Sequence, residues 1–122
     1  MSSGKGLMIL FTVDPRKNPE RAALALAIAT AAQVSDIQVS FFFAQDGVFA
    51  AVKESMAGLT VPEFAPLEEM MTVLHEEGAR FNVCHPFLGP RQIRVEDLRE
   101  GVVLTSAVSL VQSGINASIM TF

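Results

Sequence analysis

The sequence predicts an α/β fold with a five-stranded, mainly parallel sheet that is covered by helices on both faces. Strand-like and helix-like segments alternate along the 122 residues, which is the pattern of such a sheet. The first apolar segment, residues 7–13, is apolar at nearly every position, as is typical of a central parallel strand. The length corresponds to one domain, so we expect a single domain over residues 1–122.

The first helix is predicted by the signals at its start. Asn18 is a good N-cap and Pro19 suits the first helical turn. An Ala-rich sequence then continues to about residue 33. Leu24, Ile28 and Ala32 follow the spacing i, i+4, i+8, so we expect them to face the sheet.

The middle of the chain contains a second strand, a second helix and an apolar loop. Residues 36–43 alternate as a strand does, and Asp46-Gly47 is a suitable start for the second helix. Residues 55–66 contain Gly and Pro but also several large apolar side chains. Because a loop this apolar must cover something, we expect it to lie over a site, the core or a neighbouring subunit.

The second half of the chain continues the alternation. The predicted elements are an amphipathic helix over residues 67–77, strands over 80–84 and 101–104, a helix from Thr105 to about 113, and a final strand over 115–122. Thr105 is the expected N-cap of that last helix.

Composition and charge exclude several functions. The net charge of −4 is spread over mixed signs, without the basic stripe that nucleic-acid binding needs. No segment reaches the length of a membrane span. The single cysteine excludes an internal disulfide and favours a cytoplasmic protein. Nine Phe with no Trp or Tyr exceed what so short a chain readily buries, which favours a homo-oligomer.

Parallel sheets place their sites outside the carboxyl ends of strands. Three loops of this chain meet that condition: the one that begins with Asp14, residues 44–47 with Asp46, and residues 84–89 with Cys84. Asp14 and Asp46 are candidates for contact with a ligand, although capping of the next helix is the commoner role for such residues.

Cys84 is the main chemical candidate. Pro86 favours a helical turn at this point, with Cys84 near its N-cap, where free N–H groups and the helix dipole stabilise a thiolate. His85, Arg91 or Arg94 would add positive charge and yield a nucleophile at neutral pH. The alternative is an ordinary buried cysteine.

The two histidines do not strengthen the case for catalysis. His85 points away from Cys84 on an extended chain, so a capping or solvated role is favoured over a catalytic one. Cys84, His75 and His85 lack the paired spacings of a zinc site. The chain has no Gly-x-Gly-x-x-Gly after a strand and no Gly-x-Ser-x-Gly, so we expect neither a metal nor an organic cofactor.

The sequence around Cys84 resembles the DsrE/DsrF-like family. The matching stretches are Gly-Ala-Arg-Phe-Asn-Val-Cys at 78–84, Arg-Gln-Ile at 91–93 and Asp-Leu-Arg-Glu-Gly-Val at 97–102. The opening strand, the Pro-Glu-Arg-Ala-Ala helix and the Phe-rich second strand also match, so the resemblance covers nearly the whole chain. The chain departs from the pattern at His85-Pro86-Phe87, where many members have small or apolar residues.

This resemblance implies a three-layer, flavodoxin-like fold that assembles into trimers or hexamers. In members with the cysteine, that residue accepts a persulfide sulfur from a donor protein and passes it to an acceptor. Here the role falls on Cys84 alone. Such a carrier needs no cofactor, and residues 55–66 are candidates to shield the persulfide.

Three functions remain open on the sequence. The favoured one is a persulfide carrier of sulfurtransferase type that acts through Cys84. The alternative is a non-catalytic oligomeric module that binds a ligand or a protein. A cysteine-dependent hydrolase or peroxide reductase ranks last, because the chain has no second cysteine to resolve a sulfenic acid.

Overall fold

Five parallel strands form a single sheet in the computed structural model, which describes residues 6–122. Their order across the sheet is β4-β3-β2-β1-β5, and every neighbouring pair is parallel. The α/β class and the parallel sheet predicted from the sequence are therefore confirmed. The strands are β1 Gly6–Phe11, β2 Gln38–Phe43, β3 Arg80–Cys84, β4 Val103–Thr105 and β5 Ala117–Thr121.

The strand order decides on which face each helix lies. The chain steps from β1 to β2 to β3 in one direction and returns from β4 to β5 in the other. Because crossovers between parallel strands are right-handed, α1 (Pro19–Val34) and α2 (Leu67–Glu76) share one face, whereas α3 (Ala107–Gly114) lies on the other. We call these the covered face and the open face.

The main core lies between the covered face and helices α1 and α2. Phe41 and Phe43 stack on each other there and Phe81 meets both rings edge to face, with ring centroids 5.5 to 5.8 Å apart. Helix α1 packs through small side chains and Leu26. Of the predicted stripe, Ala32 is buried and Ile28 packs against the core, but Leu24 is 48% exposed. The buried side chains of α1 are Ala22, Ala23, Ala25, Leu26, Ala29 and Ala32.

Two predicted elements of the middle region take a different form. The segment predicted as a second helix is a 3₁₀ segment, Gln45–Ala51, in which Gly47 packs against the end of β1. A Cβ at Gly47 would lie 1.9 Å from the carbonyl oxygen of Phe11. In the apolar loop 55–66, Met56 and Val61 are buried in the main core, so this loop covers the core of its own chain.

The region from β3 to the end of α3 consists of short 3₁₀ turns, strand β4 and a helix without buried side chains. No α-helix joins β3 to β4; short 3₁₀ turns, His85–Phe87, Gly89–Arg91 and Val95–Asp97, fill this connection. Helix α3 is capped by Ser106, whose hydroxyl accepts from the Ser109 amide, and not by Thr105. Helix α3 has no buried residue.

Candidate functional site

The loops that follow β1, β2 and β3 meet at the carboxyl edge of the sheet, since these strands are neighbours. They surround a shallow cavity of about 480 Å³. The sequence predicted this location for a site. The lining residues are Arg16, Phe49, Val52, Lys53, Arg91, Gln92, Ile93, Glu96 and Asp97.

Asp14 lies beside this cavity, and its carboxylate is bonded to Arg16. Its carboxylate accepts from the Arg16 backbone N–H at 2.9 Å and from the guanidinium at 3.0 and 2.8 Å. Burial pushes the pKa of Asp14 up, but these bonds and the charges of Arg16 and Lys17 outweigh it, and the net pKa is lowered. Asp14 is therefore an ionised positioning group for Arg16.

The carboxylate of Asp46 is likewise paired with an arginine, Arg91. Arg91 Nε donates to Asp46 Oδ1 at 2.9 Å, and Arg91 also donates to the carbonyl oxygen of Phe87 at 3.2 Å. This pair joins the loop after β2 to the loop after β3. The structure thus places Asp46 and Arg91 together, as an ion pair at the rim of the cavity.

Arg16 and Phe49 are site residues that the sequence analysis did not single out. The Arg16 guanidinium carbon lies 4.4 Å from the centroid of the Phe49 ring, a cation–π contact. The available signal was the Asp-x-Arg spacing directly after a buried strand. The three cations of the cavity are balanced by four carboxylates in or beside it, so the cavity has little net attraction for an anion. These are Asp14, Asp46, Glu96 and Asp97.

Cys84 does not line this cavity. Strand side chains alternate between faces, and Phe81 and Val83 belong to the core under the covered face. Cys84 therefore lies on the open face, at the end of β3, with Thr105 of β4 as its register partner. His85 follows it in an exposed turn, and the structure does not bring the imidazole into a described bond with the thiol.

The environment of Cys84 corrects one expectation. The side chain is 7% exposed, and burial raises the pKa of the thiol, where the sequence predicted a stabilised thiolate. The turn after Cys84 has three residues, too short to build a helix dipole. None of the three predicted cations offsets this effect, since burial is the cause of the pKa shift and His85 does not contribute to it. Arg91 is paired with Asp46 and Arg94 with Asp97.

Residues 55–66 do not shield Cys84, contrary to expectation. They are tied to α2 by Glu68, which accepts from the Met56 amide at 3.1 Å and forms a bidentate pair with Arg99. Arg99 also donates to the carbonyl oxygen of Ala50 at 2.8 Å. This clamp holds the loop on the covered face, opposite the thiol.

Comparison with known proteins assigns this arrangement to a family. The sequence pattern of the DsrE/DsrF-like family matches residues 5–122. The chain belongs to the DsrE/DsrF-like family. This confirms the resemblance seen around Cys84 and places the cysteine of β3 within the matched region.

Two relatives are similar in sequence to this DsrE/DsrF-like chain over most of their length. The uncharacterized protein MJ0989 of Methanocaldococcus jannaschii is 35% identical over 104 residues, which are 83% of this chain and 88% of the relative. The uncharacterized protein MK0008 of Methanopyrus kandleri is 35% identical over 113 residues, 91% of this chain and 90% of the relative.

Two solved structures share the fold of this family member. The ychN protein from E. coli superposes with a TM-score of 0.72 at 20% identity, covering 97% of this chain and 99% of ychN. MTH1491 of Methanobacterium thermoautotrophicum gives 0.64 at 15% identity, covering 97% and 98%. Within residues 6–122, none of the helices has the length and apolar composition required to cross a bilayer.

Proposed function

We propose that this chain is a sulfur-relay protein in which Cys84 carries a persulfide between a donor and an acceptor protein. The observation that carries the proposal is the family match across the chain, together with a free thiol at the carboxyl end of a central strand. No further catalytic group is required, since thiol–disulfide chemistry needs only a thiolate that can reach sulfur.

The transfer step balances without an added oxidant. The Cys84 thiolate attacks the outer sulfur of a donor persulfide, a new S–S bond forms on Cys84, and the donor S–S bond breaks. The donor leaves as a thiolate and takes up the proton that Cys84 has released. Delivery to an acceptor thiolate is the same step in reverse, so the protein returns unchanged.

Because Cys84 is buried, a donor protein would have to expose the thiol before sulfur transfer. In the free chain the raised pKa keeps the thiol protonated at neutral pH, which protects the sulfur from unwanted oxidation. The exposed turn His85–Phe87 begins directly after Cys84. A donor that binds this turn and moves it would expose the thiol, and its own cations would favour ionisation.

We also propose that the protein acts as a homo-oligomer. From Gly101 to Phe122 the sequence has no Asp, Glu, Lys or Arg, and Val108, Val111 and Ile115 on and after α3 are 65 to 78% exposed. Charged residues are depleted at the centres of protein interfaces. Within this uncharged segment, residues 101–122, the exposed side chains of Val108, Val111 and Ile115 are therefore the surface that a second copy would cover.

The test of the sulfur relay is the mass of the intact protein after incubation with a low-molecular-weight persulfide. We expect a gain of one sulfur atom on the wild type and none on Cys84→Ser. The unfolded wild type is the positive control for the donor. Sulfur uptake by the unfolded chain but not by the folded protein, with or without candidate donor proteins, would contradict the proposal.

The buried thiol favours a second candidate, a non-catalytic oligomeric module. Alkylation of Cys84 as a function of pH separates the two. The relay predicts that the folded protein reacts, slowly and with an apparent pKa above that of a free cysteine. A thiol that stays inert to small alkylating agents in the folded state would favour the module.

A further inference from the structure

The open face contains a polar crevice at the beginnings of the strands. Helix α3 covers this face only near β1 and β5, where a Cβ at Gly114 would lie 3.1 Å from Ile119 Cδ1 and 3.6 Å from Met8 Sδ. Beyond it, over β2 and β3, lies a crevice of about 440 Å³. Its lining residues are Gly6, Leu7, Met8, Gln38, Ser40, Phe42, Arg80, Asn82, Ser113, Asn116 and Ala117.

The side chains in this crevice are unusual for central parallel strands. Such strands are normally apolar on both faces, yet β2 and β3 place Gln38, Ser40, Arg80 and Asn82 on the open face. Met8 and Phe42 lie on the same face, beside Ser40 and Asn82, and because each is only 2% exposed they form the buried floor of the crevice. The result is an apolar floor with polar groups around it, which is the usual composition of a small-molecule site.

The charge of the crevice favours an anion. None of its lining residues is acidic, although the chain as a whole has a net charge of −4. Arg80 is exposed at the rim, and within residues 6–122 no carboxylate pairs with it. Across the same part of the chain, the hydroxyls of Ser40 and Ser113 have no described hydrogen-bond partner, so they can donate to a ligand.

We propose that this crevice binds a small organic anion. The carboxylate or phosphate oxygens of the anion accept hydrogen bonds from Arg80 and from the hydroxyls of Ser40 and Ser113. The apolar part of the anion lies over the floor. The volume lies within the range of small-molecule pockets. The site is separate from the sulfur chemistry, because Arg80 begins β3 and Cys84 ends it, about 13 Å away along the strand. The inference therefore stands whether or not Cys84 carries sulfur.

The experiment is a titration of the isotope-labelled full-length protein, followed by the amide resonances of Ser40, Asn82 and Ser113. Benzoate and phenyl phosphate are the two anionic probes, and benzyl alcohol is the uncharged one. We expect saturable shifts with at least one anion, and the stronger of the two identifies the headgroup. Binding of benzyl alcohol should be at least about tenfold weaker, because charge-assisted hydrogen bonds are lost.

Two variants make the test specific. Arg80→Gln should weaken anion binding about tenfold, whereas Arg21→Gln, an exposed arginine on α1, should leave it unchanged. Thermal unfolding of both variants checks that they fold. The proposal is overturned if neither anion gives a saturable shift, if benzyl alcohol binds equally well, or if folded Arg80→Gln binds as tightly as the wild type.

Discussion

At the scale of single residues, Asp14 shows how a carboxylate stays charged in a buried position. It is 3% exposed, and three hydrogen bonds from Arg16 stabilise its ionised form. Because its pKa is lower in the folded than in the unfolded chain, its stabilisation is complete above the unfolded pKa. It is lost as the pH falls through the folded pKa.

The substitution Asp14→Asn tests this assignment. It should lower the free energy of unfolding at neutral pH by about 1–3 kcal/mol and reduce the loss of stability in acid. Asp46→Asn is the matched control, because Asp46 belongs to an ion pair in which its side chain is 53% exposed, and such pairs contribute at most about 1 kcal/mol. Urea unfolding at several pH values measures both, and equal losses would contradict the assignment.

Cys84 shows the limit of residue-level prediction. Its position at the end of a strand was predictable, because the pattern of residues 80–84 and the following Pro86 mark that end. Its burial was not, since it depends on which face of β3 the side chain takes and on what the following turn covers. Those are tertiary properties, and they reverse the direction of the pKa shift.

At the scale of elements, Gly47 fixes how the 3₁₀ segment docks on β1. A Cβ there would lie 1.9 Å from the carbonyl oxygen of Phe11 and 2.6 Å from its carbonyl carbon, so the backbone must move. We expect Gly47→Ala to destabilise the protein by at least about 2 kcal/mol, as measured by urea unfolding.

Gly89→Ala is the control for that substitution. No heavy atom lies within 4 Å of a Cβ at Gly89, so this change should alter the free energy of unfolding by less than about 0.5 kcal/mol. If Gly47→Ala were as mild as Gly89→Ala, the close contact between the 3₁₀ segment and β1 would be wrong.

The Arg99–Glu68 clamp connects elements that are distant in sequence. The bonds from the Arg99 guanidinium lower the pKa of Glu68, against the opposing effect of burial. Arg99→Lys keeps the charge but loses the planar fork that bonds Glu68 and Ala50. The Met56 amide donates a hydrogen bond to the Glu68 carboxylate, so we expect faster hydrogen exchange at this amide. The free energy of unfolding should fall by about 1–3 kcal/mol.

Arg94→Lys is the matched control for the clamp. Arg94 pairs with Asp97 at 3.7 Å on the surface, where geometry matters little. Exchange at Met56 should therefore not change in this variant. Unaltered exchange in Arg99→Lys would show that the clamp does not hold residues 55–66.

For the whole molecule, the proposed homo-oligomer depends on the exposed apolar side chains of the uncharged segment. The wild type should elute and scatter light as a multiple of 13.1 kDa. Val111→Glu should dissociate it, because Val111 is 68% exposed in the single chain and a carboxylate buried at an interface is costly. The measurement is size-exclusion chromatography with light scattering.

Val73→Glu provides the comparison, since Val73 is an exposed apolar residue on α2, outside the uncharged segment. It should leave the assembly intact. A monomeric wild type would refute the homo-oligomer, and dissociation by Val73→Glu but not Val111→Glu would place the interface on the other side of the molecule.

The class, the order and the approximate bounds of the elements were predictable from local patterns in the amino-acid sequence. Apolar periodicity, caps and breakers are local properties, so β3 at Arg80–Cys84 and α2 from Leu67 were predictable. The family pattern around Cys84 was also recognisable in the sequence, because it consists of short stretches in a fixed order.

Which faces these elements bury, and which partners their side chains contact, depends on packing between distant parts of the chain. Leu24 is exposed although its spacing fits a buried stripe, because α1 packs against the sheet and α2 through a different face, the one that bears Ala25, Leu26 and Ala29. The side chains of Phe81 and Val83 occupy the covered face, which leaves Cys84 on the open face, away from Asp14 and Asp46 beside the cavity. Long-range packing sets these relations, and no short stretch of sequence contains them.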